Sequence, residues 1–250
     1  MKNAFFPLNV AALSMLCAIF VSSASAATLT LSTNVYSNGN GLGGGEYTAT
    51  SLTLSNASYS SLAIAGLGGV ETFCLEYGEH FSPGSTYGYT ISTFATAGSG
   101  GAVNGQDPIS NGTAWLYSQF ATGTLAGYNY VGARAGSNNA LQLAFWFFED
   151  ETQVIGGAYS LYGTGSGNIF INAAVAQFGS LANAKADSSG AFGVSVLNLT
   201  SQNGTVQNQS QLYYGGNSNI PSTPDSGTTA AMLGLSLIGL LGFKRRNAAR

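Results

Sequence analysis

Two short apolar segments, one at each end, decide how much of this 250-residue chain is free to fold. At the start, Lys2 precedes an apolar stretch over 10–21, and the small residues Ala24, Ser25 and Ala26 follow. That layout is a secretory leader, so 1–26 is predicted to be a signal peptide cut before Ala27, taking Cys17 with it. It implies passage through the Sec export machinery. At the other end, Pro224, Asp225, Ser226 and Gly227 lead into an apolar run over 228–243 and then Lys244, Arg245 and Arg246, within a basic segment over 244–250. As a helix the run extends about 24 Å, short of the roughly 30 Å of a bilayer's hydrocarbon core. It is predicted to be a short transmembrane helix that keeps its basic end on the inner side of the membrane. The folding part is then one ectodomain over 27–221, long enough for a sizeable core, followed by a terminal unit over 222–250.

The ectodomain is poor in charge. Only 7% of the chain is charged and 35 residues are glycine, so Ser, Thr, Asn and Gln must cover the surface, where an ordinary globular protein uses roughly 25% charged residues. With 45% hydrophobic and 12% aromatic residues, the chain can bury a core and does not have the composition of a disordered segment. Between Ala27 and Thr223 nine acidic residues face only Arg134 and Lys185, a net charge of −7. Such a domain repels phosphate backbones, which argues against nucleic acid as a partner.

Strand composition, rich in Thr, Val and Tyr, occurs over 29–36, 47–54, 62–65, 72–77, 87–94, 192–199 and 211–214. Three segments, 112–120, 139–148 and 169–186, are predicted as helices; in the second, Leu141, Phe145 and Phe148 recur at helical spacing and Asn138 or Asn139 is placed to cap its start. The fold class expected is α+β, mainly β: a β-sandwich or barrel-like ectodomain with a helical insert over about 112–186, beside the signal helix and the terminal membrane helix. The glycines over 39–44 match a dinucleotide fingerprint in spacing, but no strand-helix-strand unit surrounds them, and a flexible hairpin loop is the expectation. Five Asn-X-Ser/Thr sites, beginning at Asn56, Asn111, Asn198, Asn203 and Asn208, are what a chain this rich in those residues produces by chance.

The C-terminal arrangement of motif, short apolar helix and basic end resembles the PEP-CTERM class of sorting signals of Gram-negative, exopolysaccharide-producing bacteria, in the variant whose motif reads Val-Pro-Asp-Ser-Gly. Thr223 stands where that variant has valine. The resemblance covers the last 27 residues or so. It implies an exosortase as partner, which would recognise Pro224, Asp225, Ser226 and Gly227 while 228–243 sits in the membrane and Lys244, Arg245 and Arg246 act as the stop. It also implies a protein anchored before processing and then found at the cell surface or outside the cell.

Once the leader is removed the chain has one cysteine, Cys74, in an export compartment where cysteines usually pair. The segments around it and around Gln142, with Phe73, Cys74, Gln142, Ala144 and Trp146 at the matching positions, resemble the paired motifs of thioester domains. These are surface-adhesin modules in which a cysteine sulfur bonds a glutamine side-chain carbonyl with loss of ammonia. Leu141 and Phe145 depart from the residues usual there. That resemblance would make Cys74 and Gln142 a reactive pair; the alternative is that Cys74 is a small buried apolar residue and Gln142 a helix residue bonding nearby backbone.

Other chemistry is sparse. His80 is the single histidine, so no multi-histidine zinc site can form, no serine elbow motif is present, and His80 reads as a loop or strand-end residue. The groups Glu71, Glu76, Glu79 and Glu149, Asp150, Glu151 would suit calcium or a glycosidase, and solvated carboxylates are the expectation. No catalytic residue or metal ligand is assigned and no cofactor is expected. The leading expectation is a non-enzymatic envelope or matrix protein, structural or adhesive, among exopolysaccharide in a biofilm. A covalent adhesin using Cys74 and Gln142 comes second and a secreted hydrolase third.

Overall fold

A computed structural model describes residues 27–37, 44–52, 69–96, 102–131, 134–151 and 167–216. The predicted signal peptide, the strand predicted over 62–65 and the whole of 217–250, including the sorting motif, lie outside the described residues. Among the described residues, eight strands and four α-helices follow one another as β1 (Thr28–Ser37), β2 (Gly45–Thr50), β3 (Gly69–Phe73), β4 (Ser85–Ser92), β5 (Phe94–Thr96), β6 (Gln106–Pro108), α1 (Asn111–Ala121), α2 (Arg134–Phe148), α3 (Ile169–Phe178), α4 (Leu181–Lys185), β7 (Val194–Thr200) and β8 (Gln211–Tyr214). No helix among the described residues is long and apolar enough to cross a membrane.

Six strands form one antiparallel sheet in the order β3-β2-β1-β4-β7-β8. Its two edges meet. Cys74, just past β3, bridges to Gln211 of β8, Leu75 N–H donates to Ser210 O at 2.9 Å, and Thr72 Oγ1 donates to Leu212 O at 2.6 Å. The sheet is therefore a nearly closed barrel, which leaves few unpaired edge groups to recruit other strands. Of the two expected forms, barrel and sandwich, the barrel is found. β4 and β7 are neighbours in it, so residues 93–193 are one excursion that leaves and re-enters adjacent strands. That is the helical insert, and it carries the small β5-β6 ribbon as well.

The period-two alternation of strands sorts the core into two. Leu29, Leu31, Tyr47, Ala49, Val70, Cys74, Tyr87, Tyr89, Leu197, Leu199 and Tyr213 lie on one face of the sheet and form the barrel's own cluster, joined by Leu143 and Trp146 of α2. The opposite face of β3, β7 and β8 presents Phe73, Val196 and Leu212, and the helices pack there through Tyr117, Phe120, Leu141, Phe145, Phe148 and Phe170. Edge-to-face pairs such as Phe73–Phe120 and Phe73–Phe145, with ring centres 5.0 and 5.2 Å apart, knit this second layer.

Several predicted boundaries shift. β3 ends at Phe73, not at 77, because Cys74 and Leu75 leave the ladder to close the barrel. The helix predicted over 169–186 is two: Gly179, at φ 76°, ends α3 in the left-handed conformation, and Ser180 caps α4 through Asn183 N. α2 starts at Arg134, so Asn138 and Asn139 lie inside it and neither caps it. The run Gly136-Ser137-Asn138-Asn139 is a poor helix former, and tertiary contacts of Arg134 override that preference. Of the glycines over 39–44 only Gly44 is described and the rest of that loop lies outside the described residues; the strands on either side, β1 and β2, pair antiparallel, and no parallel strand pair exists among the described residues to support a dinucleotide site.

Candidate functional site

α2 is docked on the sheet by a row of residues four apart. Arg134, Asn138, Gln142 and Trp146 follow one inclined line of the helix, and all four are buried. The apolar periodicity of the helix accounts for Leu141, Phe145 and Phe148, but this second row is largely polar.

At its middle sits Gln142, which has no exposed surface, against Cys74, which has none either. The Gln142 carboxamide spans the backbone of that residue. Its Oε1 accepts from Cys74 N–H at 3.2 Å and from Gly45 N–H at 2.9 Å, and its Nε2 donates to Cys74 O at 2.8 Å. Two N–H donors on one side and a carbonyl on the other leave only one way round for the amide. The Cys74 sulfur receives Gln211 Nε2 at 3.7 Å. Burial pushes the Cys74 thiol up to about 12, against the hydrogen bond from Gln211, which favours the thiolate. The fold thus brings together two residues 68 positions apart, and what touches is the glutamine amide and the cysteine backbone. Gly44 and Gly45, where the chain enters β2, belong to this seat. A Cβ on Gly44 would lie 2.4 Å from Trp146 Cη2 and 2.9 Å from Gln142 Cγ, and Gly45 holds φ at 125°, open in practice only to glycine.

Two turns earlier, roughly 12 Å along the axis, the same helix is fastened by charge. Arg134 Nη2 reaches Glu46 Oε1 of β2 at 2.5 Å and Glu71 Oε2 of β3 at 2.7 Å, all three residues being buried. Tyr128 Oη donates to the other Glu46 oxygen at 2.8 Å. Burial raises the Glu46 carboxyl to about 7, opposed by the Arg134 charge and by the Tyr128 and Arg134 hydrogen bonds. Of these four, only Glu71 is a candidate from the sequence, and there as a calcium or glycosidase carboxylate, not as a partner of Arg134. A usable signal existed: Arg134 is one of two bases among nine acids and stands just before the helix predicted over 139–148, where burial requires a paired carboxylate.

The expectation of solvated carboxylates is corrected for most of the acids. Glu71, Glu76, Glu149 and Glu151 are buried, Glu79 is half-buried, and only Asp150 of the two groups is exposed. Asp150 pairs with Lys185. Glu149, just past α2, accepts from Ser110 N–H at 3.2 Å and from Ser110 Oγ at 2.7 Å, and the same Oγ caps α1 through Thr113 N–H. Burial raises Glu149 to about 7 against these bonds. Glu76 and Glu151, with Asp107 of β6, bring one oxygen each within 4.8 Å of one another. Calcium's preference for carboxylate oxygen fits this donor set. His80 is exposed and takes part through its backbone carbonyl, which accepts from Gln209 N–H at 3.3 Å.

Residues 224–246 match the VPDSG-CTERM motif. The chain therefore carries a PEP-CTERM-type sorting signal, with the match opening at Pro224, directly after the divergent Thr223. No curated protein and no solved structure matches the chain.

Proposed function

We propose that this chain is an exported cell-surface or extracellular-matrix protein, sorted by an exosortase and retained among exopolysaccharide, with the barrel as its structural or adhesive module. The sorting motif over 224–246 carries this reading. The charge-poor surface, rich in hydroxyl and amide groups, suits contact with polysaccharide through many weak hydrogen bonds. Deleting 224–250 and fractionating the cells tests it. The truncated protein is expected in the medium or stranded in the periplasm; an unchanged location would sink the sorting role.

A second reading, a covalent adhesin, is favoured by the contact between the Gln142 carboxamide and Cys74. The Cys74 sulfur would bond Gln142 Cδ while the amide nitrogen leaves as ammonia. A surface amine would later bond the same carbon and return the sulfur as a thiol. The intact mass of the exported protein is expected to be short by one ammonia, to rise on methylamine treatment by one methylamine, and to show neither change in Cys74→Ala. A full mass with an unreacted thiol would remove this reading and leave a sorted structural protein.

A further inference from the structure

From the geometry around Gln142, and resting on the covalent reading above, we infer that the backbone N–H groups of Gly45 and Cys74 form an oxyanion hole that activates the Gln142 carbonyl. Both donate to Oε1, at 2.9 and 3.2 Å, in a site without exposed surface at Cys74 or Gln142. The donors are fixed by the fold: Gly45 opens β2, and Cys74 is held in the bridge that closes the barrel. Gln142 is held in turn by Nε2 on Cys74 O at 2.8 Å and by Gly44, whose missing Cβ makes room for its Cγ.

Chemistry asks for help at this carbon. The hydrogen bond at the Cys74 sulfur comes from an amide nitrogen, Gln211 Nε2 at 3.7 Å, which is a donor and cannot take the thiol proton. When sulfur attacks Cδ, charge collects on Oε1, the thiol proton passes to the amide nitrogen, and the C–N bond breaks to release ammonia; when an amine later attacks the thioester, charge collects on the same oxygen, the C–S bond breaks, and the amine's proton ends on sulfur. Fixed N–H groups aimed at that oxygen lower both barriers, and losing one such donor costs on the order of 100-fold in rate. Cys74 O loses its partner when ammonia leaves, so the two donors on Oε1 are what still hold the acyl group in the thioester form.

Two measurements on the full exported chain test this. Replacing Gly45 by glycolic acid turns one amide into an ester and deletes only that N–H; methylamine uptake at residue 142, followed by peptide mass, is expected to slow about 100-fold with the fold retained by circular dichroism. Uptake at the wild-type rate would overturn the oxyanion hole while leaving the thioester standing. The second measurement needs no variant: the infrared carbonyl band of the native thioester, labelled with carbon-13 glutamine, is expected below its position in the unfolded, still-bonded chain. An unshifted band would refute the two hydrogen bonds. A wild-type chain of full mass that takes up no methylamine refutes the covalent reading itself, and the hole with it.

Discussion

α2 is fastened to the rest of the molecule in two chemically different ways. Its ends are ionisable: Arg134 pairs with Glu46 and Glu71, and Glu149, just beyond the helix, binds Ser110. Its middle is neutral: Gln142 bonds only backbone groups of Gly45 and Cys74. Buried charges give a fastening that fails badly when one partner is lost, whereas a neutral amide gives one of modest strength with fixed direction. The ends thus set where the helix lies, and the middle sets how one carboxamide points.

The sharpest way to break that contrast is Arg134→Met. It leaves Glu46 and Glu71 buried without their cation and should cost about 3–5 kcal/mol in urea unfolding; a loss near that of an ordinary surface substitution would show that charge does not fix the start of α2. Next comes pH. Glu149 keeps its proton to about 7 in the folded protein against 4.5 in its ordinary state, so between those values the folded chain binds more protons than the unfolded one. Stability should then fall as pH rises through that window, by roughly 3 kcal/mol, and Glu149→Gln should flatten the slope. Glu46, raised in the same direction, adds to the slope that remains.

At the neutral middle, Gln142→Ala removes three hydrogen bonds to Gly45 and Cys74 and should destabilise by about 2 kcal/mol with no dependence on pH between 5 and 8. A pH-dependent loss would mean that the two fastenings are coupled. The smallest effect is expected of Tyr128→Phe, which takes one donor from Glu46 and should cost about 1 kcal/mol in the same assay.

Much of this was legible in the sequence. Strands over 87–94 and 211–214 and helices over 112–120 and 139–148 follow from local pattern and were found within a few residues. The Cys74–Gln142 juxtaposition came from a motif resemblance. What stayed hidden depends on distant partners. Nothing local reveals that Gly44 makes room for Trp146, that Gln211 reaches the cysteine sulfur, or that Glu76, Asp107 and Glu151 converge from a loop, a ribbon and the end of a helix. The buried acids were misjudged because a cluster of carboxylates in sequence looks the same whether it faces water or the core. Arg134 was passed over because its neighbours in the chain disfavour helix, and its two carboxylate partners lie 88 and 63 residues away.

The bridge that closes the barrel also decides how the molecule would bear a load. The chain leaves β8 at Tyr214 toward the sorting tail, while Cys74 is bridged to Gln211 at the opposite end of the same strand. A protein tethered at its C-terminus and gripped near Cys74 is pulled along β8, across the ladder bonds to β7 and the Thr72–Leu212 bond to β3. The ladder bonds run perpendicular to the strand, so the tension shears them together and does not peel them one by one.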